Sequence, residues 1–133
     1  IQTSGFDVQF PIEVRFVKKD QFWLSPAYGQ DMCYVGTKCH LLPGISADYV
    51  DYFKAVNELV ERYHGRPHWG KQLYSDPAYY QQYFPCWKSF WTLCQLLDPQ
   101  GLFRNAWSDR IAYHPTEADI TLFKQTYKCD ELF

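Results

Sequence analysis

The sequence predicts an α+β fold, part of an antiparallel sheet with packed helices. Three observations carry this. Residues 7–20 alternate apolar and polar with period two; apolar residues recur at helical spacing over 49–63 and again over 87–97; and the order runs strand, strand, helix, loop, short helices. A hydrophobic share of 47% suffices for a packed core, which argues against disorder, and 20% aromatic residues suit a pocket wall, an interface or simply an aromatic core.

The first strand is written in "DVQFPIEVRFVKKD". Val8, Phe10, Ile12, Val14 and Phe16 fall on one face, the apolar face expected to be buried, and Gln9, Pro11, Glu13, Arg15 and Val17 on the other. Glu13 and Arg15 therefore project together, roughly 6.5–7 Å apart along the strand. Pro11 points to an edge position or a bulge. "KKDQ" reads as a turn, and "FWLSPAYGQD" as a short extended piece broken by Pro26 and Gly29. "MCYVGTKCHLL" is the second strand, with Gly36 leaving space at its centre.

A helix follows. Ser46 serves as N-cap, Asp48 and Asp51 favour the positive end, and Tyr49, Phe53, Val56, Val60 and Tyr63 recur on one face. Gly65 is placed to end it and Pro67 cannot continue it. Asp76-Pro77 opens a short helix and Pro85 another, in which Trp87, Phe90, Trp91, Cys94 and Leu97 share a core-facing stripe. "DPQG" at 98–101 is a type I turn, "LFRNAW" an extended exit, and Thr116 to Tyr127 a weak helix inside a polar-leaning tail. Two strands make a poor independent sheet, so further strands are expected to flank them. The opening "IQTSGFDVQF" has no initiator Met and no signal core, and reads as the edge of a longer polypeptide.

Charge and cysteine content exclude several classes. A net charge of -2 without a basic block leaves no nucleic-acid footprint, and no run of about 18 apolar residues could form a spanning helix. Cys33, Cys39, Cys86, Cys94 and Cys129 are odd in number and form no C-x-x-C. Mostly free thiols and no metal site are expected; His40 and His114 read as structural or surface histidines.

Two groups of residues can carry chemistry. Glu13 and Arg15 form either a solvated surface pair or a carboxylate and guanidinium presented to a ligand, the one accepting from hydroxyls and the other stabilising negative charge. "HGRPHWGK" begins as a helix stop, but a stop needs only Gly65 and Pro67. Trp69 adds a flat face, Gly70 close backbone approach and Lys71 a charge beside it.

"IEVRFV", "WLSPAYGQDMCY", "GRPHWGK" and "LLDPQGLFRN", in that order, resemble the C-terminal part of the aldonolactone oxidases. These are the D-arabinono-1,4-lactone and L-gulono-1,4-lactone oxidases with their alditol-oxidase relatives, in the vanillyl-alcohol-oxidase superfamily of flavoproteins. The resemblance implies that residues 1–112 are the distal half of a cap domain plus a C-terminal return segment, with 113–133 a tail. It implies FAD, held mainly by an N-terminal domain or partner chain that these residues do not include. By motif it implies catalytic roles for Glu13, Arg15 and Lys71, flavin-side positions for His68, Trp69, Gly70, Lys71 and Asn105, a substrate pocket at Tyr34, Gly36 and Lys38, and a structural Asp31. Gln30, Met32, Gly36 and Lys38 depart from the family pattern; the last two count against an alditol and leave a sugar lactone open as substrate. The implied activity is oxidation of an aldonolactone or related polyol by hydride transfer to flavin. The alternative is an inactive, cap-derived scaffold or interaction subunit. The resemblance further implies association with endoplasmic-reticulum or mitochondrial membranes, or a secretory route.

Overall fold

The computed structural model describes residues 6, 12–39 and 49–128. It holds two strands, β1 (Glu13–Val17) and β2 (Met32–Gly36), and five helices, α1 (Tyr49–Arg62), α2 (Pro77–Tyr83), α3 (Trp87–Leu97), α4 (Ala106–Ile111) and α5 (Glu117–Tyr127). This is the expected α+β class. The chain divides into two compact units, Ile1–Gln21 with Ala27–Tyr74, and Phe22–Pro26 with Ser75–Phe133. Val8, Phe10, Pro11, His40, Ser46, Asp48 and Cys129 lie outside the described residues.

In the first unit β1 and β2 pair antiparallel, with Glu13 opposite Gly36, Arg15 opposite Tyr34 and Val17 opposite Met32. Period-two alternation then puts Glu13, Arg15, Tyr34 and Gly36 on one face. The opposite face carries Val14, Phe16, Cys33 and Val35. Here the expectation fails: Phe16 is 85% exposed and Val14 54%, so the apolar face is open. Alternation fixes which residues share a face, but burial needs a second layer, and α1, the helix described in this unit, packs on neither strand.

β2 ends at Gly36, shorter than the pattern suggested. "KKDQ" is not the turn. The chain instead runs through a longer connection tied at its base: the Lys19 N–H and the Lys18 ammonium both donate to the Asp31 carboxylate, at 2.9 and 2.8 Å. Asp20 pairs with Ala27 and Gly29 through backbone hydrogen bonds of 3.1 and 3.0 Å. Gly29 sits at φ 75°, a left-handed conformation that suits glycine.

α1 buries Tyr52, against which Phe6 stacks edge-on at 5.7 Å. The helix ends in a Schellman arrangement, with Gly65 N donating to Val60 O at 2.9 Å and His64 N to Glu61 O at 3.0 Å. The left-handed residue is His64, at φ 57°, rather than the glycine expected there. Gly65 is required for space instead: a Cβ on it would come within 2.3 Å of Val60 Cγ1.

The second unit is an aromatic helical cluster. Asp76 caps α2 by accepting from Tyr79 N at 2.8 Å, with Pro77 in the first turn, as its residue types dictate. Trp87 is 1% exposed and meets Tyr80, Phe84 and Trp91 at ring separations of 5.6, 6.1 and 5.6 Å. Of the predicted stripe Trp87 is buried, Phe90, Trp91 and Cys94 are half-buried and Leu97 is exposed, while Thr92, off the stripe, is the other buried residue of α3. The Asp98–Gly101 turn closes with Gly101 N on Asp98 O at 3.1 Å. "LFRNAW" is not an extended exit. Asn105 is an N-cap, and Ala106 onward is α4. α5 packs on α3 and buries Phe123, whose ring lies 6.2 Å from Trp23 and 4.6 Å from Tyr127. Among the described residues no helix is long and apolar enough to cross a membrane, and Cys33, Cys39, Cys86 and Cys94 are free thiols.

Candidate active site

Glu13 and Arg15 are joined directly. Arg15 donates from Nε to Glu13 Oε1 at 2.8 Å and from Nη2 to the same oxygen. The strand spacing is too long for two short side chains to touch, and the guanidinium's reach closes it. The other carboxylate oxygen, Oε2, lies 3.4 Å from Lys38 Nζ. The Arg15 hydrogen bond holds the Glu13 carboxyl below the usual carboxylate range, against the opposing effect of burial, and the charges of Arg15 and Lys38 add to it.

Tyr34 stands across from Arg15 and Gly36 across from Glu13. A Cβ on Gly36 would meet Glu13 Cβ and Oε2 at 3.6 Å, ordinary van der Waals contact, so the glycine leaves open a space beside the carboxylate that a side chain would fill. Of the residues picked out from sequence, the structure brings five together on this face: Glu13, Arg15, Tyr34, Gly36 and Lys38.

The loop after α1 is built from its own backbone. Lys71 N donates to His68 O at 3.0 Å, and Gly70 N donates to His68 Nδ1 at 3.0 Å. The imidazole nitrogen facing Gly70 is therefore an acceptor. A Cβ on Gly70 would come within 3.1 Å of His68 Cε1, so the room this glycine leaves is met first by the histidine. Trp69 is half-buried and Lys71 exposed. Lys71 belongs to the same unit as Glu13 and Arg15 but makes no hydrogen bond or ion pair with either.

Arg66 ties this loop down, a role not evident from sequence. Its Nη1 donates to the Tyr28 carbonyl at 2.9 Å, across 38 positions of chain. Burial lowers its pKa, partly offset by the nearby Tyr34 hydroxyl. The "GRPHWGK" loop is thus anchored to the "SPAYG" connection, and Arg66 sits close to the residue facing Arg15. The only signal in the sequence was a lone arginine between Gly65 and Pro67. Asn105, grouped by resemblance with the flavin-side residues, lies in the second unit. Its side-chain oxygen accepts from Trp107 N and Ser108 N, both at 3.0 Å, in a capping box with Ser108.

The sequence profile of D-arabinono-1,4-lactone oxidase matches residues 1–111. The chain belongs to the D-arabinono-1,4-lactone oxidase family. Among its relatives, L-gulono-1,4-lactone dehydrogenase of Mycobacterium tuberculosis is 38% identical over 111 residues, covering 84% of this chain and 25% of the relative. L-gulonolactone oxidase of Bos taurus is 31% identical over 104 residues, covering 78% and 24%. Alditol oxidase of a Streptomyces species is 31% identical over 98 residues, covering 70% and 22%. The chain spans about a quarter of the length of these lactone-oxidase relatives. No solved structure matches it significantly. Within the family frame the match takes in the hairpin, the anchored loop and α4, and ends where α4 ends, before α5.

Proposed function

We propose that this chain is the substrate side of an FAD-dependent oxidoreductase that oxidises a sugar-1,4-lactone. The FAD is held mainly by a domain or partner chain outside these residues. Family membership supports the reaction class, since the relatives are named for oxidation of lactones and alditols. The observation that carries the reading is the Glu13–Arg15 pair on a rigid strand face, facing Tyr34 and the side-chain-free Gly36. A sugar lactone is dense in hydroxyls; a carboxylate accepts from them, and a guanidinium lowers the energy of an alkoxide as a hydroxyl proton leaves.

The residues fit the rim of a flavin site rather than its cradle. His68, Trp69, Gly70 and Lys71 would border the ring, with the exposed Lys71 free of any ion pair among the described residues, whereas the Asn105 oxygen is already committed to a helix cap. FAD, when bound, supplies the hydride acceptor. This chain's part is to seat the lactone, place Arg15 and Lys71 near the reacting oxygen and keep positive charge there. The test is anaerobic mixing of the flavin-loaded oxidase containing this chain with an aldono-1,4-lactone. Bleaching of the flavin absorbance is expected. A flavin that stays oxidised with every lactone tried removes the reading.

A second reading is a catalytically silent, cap-derived subunit. It is favoured by the open apolar face of the hairpin, where Phe16 and Val14 are exposed. Purified native material decides between them. A co-migrating flavin-absorbing polypeptide supports the oxidase, and a stable complex without flavin supports the scaffold.

A further inference from the structure

The β1–β2 hairpin has two unlike faces. One carries Glu13, Arg15, Tyr34 and Gly36. On the other, Ile12, Val14 and Phe16 alternate through β1 and the residue before it, and Cys33 and Val35 through β2, with no charged residue among them. The register sets Val14 opposite Val35 and Phe16 opposite Cys33, so these side chains form one continuous surface rather than scattered exposures. Ile12 is 46% exposed, Val35 56% and Phe16 85%. The alternation carried one step past the strands reaches Lys18 and Asp31, whose 2.8 Å ion pair closes the Phe16 end with a border of no net charge.

We propose that this apolar face is an internal docking surface of the oxidase, covered by one amphipathic helix of the flavin-bearing polypeptide that lies outside these 133 residues. This rests on the function proposed above and locates one surface through which its two parts meet. The cover comes from elsewhere. The described residues form a two-stranded sheet, and α1, the helix described in this unit, packs on neither strand. The family has the chain to supply it: the matched stretch, residues 1–111, includes this hairpin, and the chain spans about a quarter of the length of its lactone-oxidase relatives.

Shape and charge favour a helix of that polypeptide over other occupants. Two strands about 4.8 Å apart, with their side chains, present a strip about 10 Å wide, the diameter of one helix. The run from Ile12 to Phe16, about 13 Å, matches a helix of about nine residues. In α+β folds helices gather on one face of an antiparallel sheet, which leaves the other free for a ligand. An apolar centre closed by a polar border is the anatomy of a protein interface. A membrane-facing patch instead carries surplus lysine and arginine at its edge, and here Lys18 is neutralised by Asp31. The hairpin is then a middle layer, with substrate on the Glu13–Arg15 face and the helix behind it.

Cys33 reports on the cover without any substitution, since its thiol is free and exposed on this face, opposite Phe16. In the flavin-loaded oxidase containing this chain, iodoacetamide should alkylate Cys33 at least about 10-fold more slowly than in the 133-residue chain alone, read by mass spectrometry. Phe16→Glu puts a charge into the interface and should bring alkylation in the oxidase to within about 3-fold of the rate in the chain alone, whereas Phe16→Leu keeps the protection. A p-benzoylphenylalanine at position 16 should cross-link to the flavin-bearing polypeptide at residues spaced by three and four. Equal alkylation in oxidase and chain overturns the proposal. So does protection of the chain alone that grows with its concentration, which gives the face to a second copy. Protection of the chain alone by phosphatidylcholine–phosphatidylserine vesicles overturns it in favour of a membrane, and cross-links at alternate residues in favour of a second sheet. Docking needs no turnover. An oxidase that protects Cys33 yet keeps its flavin oxidised with every lactone overturns the reaction assigned above and leaves the docking surface standing, which separates the two failures.

Discussion

Arg66 Nη1 lies 2.9 Å from the carbonyl oxygen of Tyr28, and this hydrogen bond joins two segments that are remote in the chain. It fastens the Lys71 loop to the connection between the strands, close to the face that carries Arg15. The donor is charged and part-buried, so the bond is worth more than a neutral surface contact. Replacing Arg66 by Met leaves the Tyr28 carbonyl without this donor. We expect a loss of about 1–2 kcal/mol in urea unfolding of the full chain. Hydrogen exchange at Gly70 and Lys71 should accelerate as well. Unchanged unfolding and exchange would mean that the loop holds its position without Arg66.

Lys71 tests the chemical step. Its side chain is exposed and makes no ion pair among the described residues, so Lys71→Met removes charge without breaking a structural contact. In the assembled flavin-loaded oxidase, substrate reduction of the flavin should slow about 100-fold or more, the cost of losing one charged stabiliser at a developing oxyanion. Thermal unfolding should stay within about 0.5 kcal/mol of the parent. Stopped-flow absorbance reads the first quantity and calorimetry the second. An unaltered reduction rate takes Lys71 out of the mechanism.

Asp119 gives the helical unit a pH dependence of known sign. Its carboxylate accepts from Thr116 N at 2.8 Å, Thr116 Oγ1 at 2.6 Å and Tyr113 Oη at 2.8 Å, and these bonds, Thr116 foremost, lower its pKa to about 2. A depressed folded-state pKa stabilises above the unfolded value of 3.8, and the contribution is lost as pH falls toward 2. Urea midpoints measured from pH 6 to pH 2 should show Asp119→Asn less stable than the parent at pH 6. The gap should close between about pH 4 and pH 2. A gap that stays constant across that window would show that the capping box does not depend on the carboxylate charge.

Much of the local structure was legible because it depends on near neighbours. Asp76-Pro77 opens α2, the stretch from Thr116 to Tyr127 is helical, and Trp87 packs inward with Trp91 half-buried beside it, each from residue types and spacing within one element. Asn105 shows the limit of that reading. From residue types "LFRNAW" reads as an extended exit, although Asn followed three residues later by Ser is a cap with a reciprocal partner. Local rules likewise expect the αL residue after α1 at Gly65, but His64 takes that conformation and Gly65 is needed for the space beside Val60.

By itself the sequence determined that Glu13 and Arg15 share one face of a strand, that a loop with Trp69, Gly70 and Lys71 follows a helix, and that the motifs belong to a lactone-oxidase family. Period-two geometry and capping chemistry are local, so the residues alone decide them. The tertiary structure decided that Lys38 and Gly36 meet Glu13, that Arg66 holds the loop to Tyr28, and that the apolar side of the hairpin is the open one. Those outcomes depend on strand register, on contacts across tens of residues and on what covers a face, and no short-range pattern encodes them.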